Sequence, residues 1–216
     1  MYVGLRMMRN PVVCTPDTGL DEAVRLMKEN KVRQLPVIDN QGHLAGLVSD
    51  VDLQHVLPSP ATSLSVHEMT YLLSKLTVAK FMVKKVITIG PEATIEEAAL
   101  LMHDRDISGL PVVKGGKLVG YINRTIMLEL FVEEMGLKVD SSRITLELED
   151  KPGQVLEIAR IIKENGLNMV SVATFYETKP GMRIVVFRVG TKDPSKLLAD
   201  LAAAGHRMVT AQDFDL

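Results

Sequence analysis

The sequence predicts a chain of α/β and α+β class, with two like α/β units in tandem and then a smaller βαββαβ unit. Two observations carry this. First, Val3 to Pro36 lies over Val78 to Pro111 without a gap at an offset of 75 residues. The overlay matches Met7/Met82, Pro16/Pro91, Glu22/Glu97, Ala23/Ala98, Leu26/Leu101, Met27/Met102, Leu35/Leu110 and Pro36/Pro111, and after a one-residue deletion Leu44/Leu118 and Gly46/Gly120. Repeats of this length are usually units that cannot bury their apolar faces alone, so two copies imply a pseudo-twofold pair with a cleft between them. Second, the pattern changes after Gly136 to alternating strands and two new amphipathic stretches.

Each element has a local reason. Val12 to Cys14 is a β-branched run, expected as a short strand. Leu20, Ala23, Val24 and Met27 follow at helical spacing. In the second copy Thr94 and Glu97 form a capping-box signature; in the first, Gly19 replaces the threonine and Glu22 remains. Leu35 to Ile38 reads as a buried strand, Asp39-Asn-Gln-Gly42 as a turn, and Leu44 to Val48 as the hairpin partner. Asp50 to Leu57 is expected to be a helix stopped by Pro58 and Pro60. Pro58 to Ser65 reads as a polar connection and Val66 to Leu76 as a helix. Arg124 to Met135 closes the second copy as a helix with Ile126, Leu130 and Met135 on one side and Gly136 as its stop.

Arg143 to Glu149 alternates apolar and charged residues, as a half-buried strand does. Val155, Ile158, Ala159 and Ile162 mark a helix ended by Asn165-Gly166. Leu167 to Tyr176 and Met182 to Val189 are expected strands around a Lys179-Pro180-Gly181 turn. Asp193-Pro194 opens a helix carrying Leu197, Leu198 and Leu201, ended by Ala204-Gly205, and Arg207 to Phe214 is expected as the last strand. The order βαββαβ is that of a ferredoxin-like sandwich.

Composition narrows the function classes. A net charge of -2 gives no excess of positive charge for nucleic acid or an anionic membrane. No apolar run approaches a membrane span, and the first residues lack a signal-peptide core. Cys14 is the single cysteine, which excludes an internal disulfide. The cytoplasm is the expected location. His43, His55, His67, His103 and His206 are scattered without metal-ligand spacing, and no Walker or dinucleotide loop is present. Neither a catalytic constellation nor a metal site is therefore expected. Cys14, in an apolar stretch, is expected to be buried rather than reactive.

The repeated pattern resembles the cystathionine-β-synthase (CBS) domain. Its matching residues are Met7, Pro16-Asp17, Glu22-Ala23, Leu26-Met27, Arg33-Gln34-Leu35-Pro36-Val37-Ile38 and Gly46 to Leu53. Two such motifs make what is called a Bateman module. The C-terminal unit resembles an ACT domain, through Leu148 to Leu156 and Asn165-Gly166-Leu167-Asn168. The combination is similar to acetoin-utilisation protein B-like proteins. The resemblance implies a first CBS domain over 1–60, a second with its linking helix over 61–136, and an ACT domain over 137–216.

It also implies that the cleft binds adenosine derivatives such as AMP, ADP, ATP or S-adenosylmethionine. The chain offers what such a ligand needs. Val12 and Val13 on one side and Leu35 and Pro36 on the other could form an adenine slot, with Gln34 adjoining. Asp52 could accept from both ribose hydroxyls. Ser49, three residues earlier, would cap the helix and leave free N–H groups for a phosphate. Arg33 would neutralise phosphate charge, and Thr15 is a candidate polar contact. Ser49 and Asp52 can equally be only a cap and a first-turn acid.

A weaker second site is expected from Ile87, Ser108, Gly109, Leu110, Pro111 and Asn123. There Asn123 takes the Ser49 position and Ile126 the Asp52 position, and isoleucine accepts no hydrogen bond from ribose. In the ACT unit Asp150, Pro152 and Gly153 lie where the first strand hands over to a helix whose freed N–H groups could hold a carboxylate; the ACT resemblance implies an amino acid there, at a site often shared between subunits with the Asn168 region. The other reading is that Asp150 caps the helix, Pro152 starts it and Gly153 permits the turn. The expected function is a non-catalytic regulatory sensor of adenine nucleotides. Its ACT domain would bind a small metabolite or mediate dimerisation, giving a homodimer that acts on another protein. The alternative is a structural dimerisation module with a vestigial cleft.

Overall fold

The computed structural model describes residues 1–56, 75–175 and 180–213. It divides into two compact units, Met1–Met127 and Leu128–Leu216.

The first unit contains α1 (Val3–Arg6), α2 (Leu20–Asn30), β1 (Gln34–Ile38), β2 (Leu44–Ser49) and α3 (Asp50–Val56). After a 3-10 turn at Val78–Lys80 come α4 (Ile95–Asp104), β3 (Gly109–Lys114), β4 (Lys117–Asn123) and the start of α5 (Arg124–Glu134). In α2, Leu20, Ala23 and Met27 are buried at three- and four-residue spacing. In α4 the mates Ile95, Ala98 and Met102 are buried. The capping box of α4 is formed: Glu97 N–H donates to Thr94 Oγ1 (3.1 Å), and Thr94 N–H donates to Glu97 Oε2 (2.7 Å). Gly19 caps α2 without a side chain.

The two hairpins β1–β2 and β3–β4 are antiparallel, each with a register irregularity at matching places, Val37/Ile38 and Val112/Val113. The expected strand at Val12–Cys14 contracts to one parallel bridge, Cys14 to Val37, repeated as Ile89 to Val112. Pro11 and Pro16 bracket the stretch and supply no N–H to extend a ladder. Of the expected helix Val66 to Leu76, residues 66–74 lie outside the described residues, as do Leu57 to Ser65. Leu76 itself is not helical and accepts from Leu20 N–H (3.0 Å).

The copies exchange their leading segments. Met8 bridges Tyr121 of the second hairpin, and its mate Val83 bridges Leu47 of the first. Tyr2 bridges Thr94, and Thr77 bridges Gly19. His43 and Lys117, equivalent positions of the two turns, bridge each other and so lie on the pseudo-twofold axis. Val78, from the second copy, is fully buried in the core of the first, with Leu20, Leu35, Val37 and Val48. Burying each such side chain contributes about 1.5–3 kcal/mol, so each copy depends on the other.

The second unit carries the rest of α5, then β5 (Ser142–Glu149), α6 (Gln154–Glu164), β6 (Met169–Phe175), β7 (Met182–Val189), α7 (Ser195–Ala203) and β8 (Arg207–Met208). Its sheet is antiparallel in the order β6-β7-β5-β8. Ile144, Leu146, Leu148, Val185, Phe187 and Val189 face Ile158, Ile162, Leu197 and Leu201 of the helices. This is the βαββαβ sandwich the sequence predicts. Two expectations change. The last strand ends at Met208, because Thr210 N–H and Oγ1 donate to Asp213 Oδ2 (2.7 and 3.0 Å) and close a turn. On α5 only Leu130 of the three expected apolar positions is buried. Gly136 stops the helix at φ +66°, as expected. Tyr176 to Lys179 and Phe214 lie outside the described residues.

Candidate functional site

Three segments of the first copy converge by backbone hydrogen bonds. Cys14 N–H donates to Pro36 O (3.1 Å) and Ile38 N–H to Cys14 O (2.9 Å), which lays the Val12, Val13, Thr15 stretch along Leu35 and Pro36. Asp50 N–H donates to Arg33 O (2.9 Å), and Gln34 pairs with Ser49. Arg33 and Gln34 therefore adjoin the start of α3, where Ser49 and Asp52 stand. Thr15 and Arg33 are exposed, Val12, Val13, Gln34, Ser49 and Asp52 half-buried, and Leu35 and Pro36 buried. Thr15 is engaged locally: its N–H donates to Thr18 Oγ1 (2.9 Å) and the two hydroxyls are 3.1 Å apart.

Ser49 and Asp52 make a closed reciprocal cap. Asp52 N–H donates to Ser49 Oγ (3.2 Å), while Ser49 N–H and Oγ–H donate to Asp52 Oδ2 (2.8 and 2.5 Å). Ser49 thus caps α3 as expected and satisfies one of its free N–H groups, Asp50 N–H is taken by Arg33 O, and α3 has only seven residues. Asp52 Oδ1 takes no hydrogen bond among the described residues.

The second copy repeats the convergence. Ile89 N–H donates to Pro111 O (3.1 Å), Arg124 N–H to Ser108 O (3.0 Å), and Gly109 pairs with Asn123. Ile87 and Ser108 are exposed; Gly109, Leu110 and Pro111 are buried. Asn123 Oδ1 accepts from Ile126 N–H (3.0 Å), so it caps α5 as Ser49 caps α3, with no carboxylate to return the bond. Gln34 is not free to face a ligand alone: Tyr121 Oη–H donates to its Oε1. The sequence held one signal for Tyr121, the aromatic residue at the Leu47 position of the overlay. A cavity of about 420 Å³ elsewhere in the pair, between α4 and α5, is lined by Met102, His103, Asp106, Arg124 and Met127.

In the second unit a cavity of about 300 Å³ opens where β5 hands over to α6. Asp150 and Gly153 line it, together with Glu149, Lys151, Thr174 and Arg183. Arg183 binds Asp150 Oδ2 (2.9 Å) and Lys151 binds Glu149. Asp150 does not cap α6; Gly153 does, at φ +93°, a conformation that favours glycine. Neither Pro152 nor Asn168 lines the cavity. Asn168 sits one residue before β6, its carbonyl accepting from Gly190 N–H (3.0 Å). Sequence reasoning missed Arg183 and Thr174, because they reach the cavity from β7 and β6, remote in the chain.

The duplicated convergence agrees with similarity to known proteins. A profile of the CBS domain matches residues 3–59 and 78–133, together more than half of the chain. The chain belongs to the CBS-domain family. The TTHA0829-like ACT domain profile matches residues 141–212, so the CBS pair is followed by an ACT domain. A CBS domain-containing protein of Dictyostelium discoideum is 34% identical over 118 residues, 54% of this chain and 81% of that protein. The chloroplastic CBSX2 of Arabidopsis thaliana is 32% identical over 134 residues, 54% of this chain and 56% of that protein. CBSX2 solved in complex with AMP superposes at a TM-score of 0.51 with 32% identity, over 61% of this chain and 96% of that one. The Vibrio cholerae protein assigned to acetoin utilization, AcuB, superposes at 0.54 with 26% identity, over 64% of this chain and 95% of that one.

Proposed function

We propose that the protein is a non-catalytic, cytoplasmic regulatory sensor whose CBS pair binds an adenine nucleotide or S-adenosylmethionine in its first cleft. The observation that carries this reading is the backbone-bonded convergence of Val12–Thr15, Arg33–Pro36 and Ser49–Asp52. It draws the segments that carry Val12, Val13, Leu35 and Pro36, Arg33, and Asp52 together, which supports an apolar slot flanked by a cation and a carboxylate. AMP bound to the related CBSX2 supports the ligand class. The second cleft, with Ile126 in place of the carboxylate, binds weakly or not at all. In the ACT domain the cavity presents Arg183 and Lys151 beside Asp150 and Glu149, a charge-balanced lining that suits a small zwitterion such as an amino acid. The protein acts as a homodimer, and its output is an altered contact with another protein. Ligand can drive that change only if its affinity differs between two arrangements of the pair. Among the described residues no helix is long and apolar enough to cross a membrane.

Isothermal titration with AMP, ADP, ATP and S-adenosylmethionine tests this, with melting temperature read in parallel. A ligand present at 100 times its Kd stabilises the folded state by about 2.7 kcal/mol. Saturable binding that is lost in Asp52→Ala is the expected result; no heat and no stabilisation by any of the four would refute the reading. One observation favours the alternative, a structural dimerisation module: Ser49 and Asp52 already satisfy each other. Native mass spectrometry separates the two readings, since a sensor retains nucleotide on the dimer.

A further inference from the structure

The register of the second hairpin places Gly109, Pro111, Tyr121 and Asn123 on one face, since Gly109 pairs with Asn123 and Pro111 with Tyr121. Three of these four are walls of the second cleft; Tyr121 is the fourth member of that face. Its ring lies against Gly109. A Cβ built there would stand 2.8 Å from Tyr121 Cζ and 2.9 Å from Cε1, with Oη closer still. Tyr121 is 6% exposed, so its hydroxyl needs a partner, and Gln34 of the first copy supplies it. Its backbone is pinned as well: Tyr121 N–H donates to Met8 O (2.9 Å) and Met8 N–H to Tyr121 O (2.8 Å). At the equivalent position the first copy carries Leu47, half-buried and without a hydroxyl.

Resting on the adenosine-binding reading of the clefts, we propose that Tyr121 is a selectivity residue. Its phenol, held by Gln34, occupies the second cleft and leaves one adenosine site per chain. A purine cannot share the space the ring takes over Gly109. The missing carboxylate at Ile126 and the ring at Tyr121 therefore exclude ligand from the same cleft by independent means, and restoring one without the other does not open it.

The test is calorimetric stoichiometry with AMP and ATP on the full chain. Wild type is expected to bind one nucleotide, Ile126→Asp still one, and the double variant Tyr121→Leu/Ile126→Asp two. The added site should survive Asp52→Ala. Tyr121→Phe keeps the ring and is expected to keep the second cleft shut. Two sites in wild type, a second site in Ile126→Asp alone or in Tyr121→Phe, or a folded double variant that gains no site would each overturn the proposal. If wild type binds nothing, the reading of the first cleft fails. The present inference is then decided by whether the double variant binds one nucleotide (supporting) or none (overturning). Should leucine impair folding, as judged by circular dichroism, Tyr121→Met with Ile126→Asp removes the ring while keeping its reach and is read in the same way.

Discussion

Replacing Gly120 by alanine tests the exchange of leading segments between the two copies. An added Cβ would stand 2.8 Å from Met7 Cγ and 2.9 Å from Met8 O, with Met7 Sδ closer still. The Met7 side chain can swing away. The Met8 carbonyl cannot, because it accepts from Tyr121 N–H one residue further along β4, and a retreat would stretch that bond. Overpacking of this kind costs about 1–3 kcal/mol. The backbone at Gly120 is not in the left-handed region, so alanine also restricts the unfolded chain, an offset of about 0.4–1 kcal/mol. The net expected loss is about 1–2 kcal/mol. The mate Gly46→Ala would meet Met82 Sδ at 2.7 Å, Val83 O at 3.0 Å and Met82 Cγ at 3.1 Å, each a little farther than its counterpart at Gly120, so its loss should be smaller. Met7→Ala in the Gly120→Ala background relieves the sulfur clash and leaves the carbonyl one, giving a sub-additive double-mutant cycle. Denaturant unfolding measures the free energies, and hydrogen exchange at the Met8 and Tyr121 amides reads the bridge itself. A neutral Gly120→Ala, a costlier Gly46→Ala, or unchanged exchange at those two amides would refute the crossing of segments.

Cys14, buried with its pKa pushed up to about 11 by burial and then by the charge of Glu22, should resist iodoacetamide at pH 8 in the folded protein. It should react once denaturant unfolds the first unit, as peptide mass mapping would show. Asp39 is held below the usual carboxylate range, first by the His43 backbone N–H and then by that of Gln41. A depressed pKa gives stability that is present above the ordinary carboxylate value and lost as pH falls through the folded one. Asp39→Asn should therefore be the less stable protein at neutral pH and converge with wild type in acid, as followed by melting temperature against pH. Gly19→Ser meets no heavy atom within 4 Å and faces Glu22 at the third helical position. It should raise stability by a few tenths of a kcal/mol, whereas Thr94→Ala in the complete box should cost about 1 kcal/mol, both read from denaturation midpoints.

Features that depend on neighbours in the chain were legible early. The Thr94–Glu97 box needs two side chains three residues apart on one helical turn, and both bonds are present. The hairpins and the βαββαβ order follow from apolar spacing and turn residues, and their edges lie within a few residues of expectation. Predictions failed where a side chain competed with the backbone pattern. Asp213 folds the chain at Thr210 and shortens the last strand. The ACT resemblance brings Asn168 to the Asp150 site from a second subunit, and within one chain Asn168 does not line that cavity.

The linear order of residues was enough to establish the duplication, the class of each unit and the segments from which a cleft would be made. Those properties recur at fixed spacing and need no knowledge of distance. Which groups in the cleft remain available required the folded chain. Tyr121 reaches Gln34 across 87 residues, and Arg183 reaches Asp150 across 33. Such contacts arise from how sheet faces and crossing segments pack, and no local pattern encodes them.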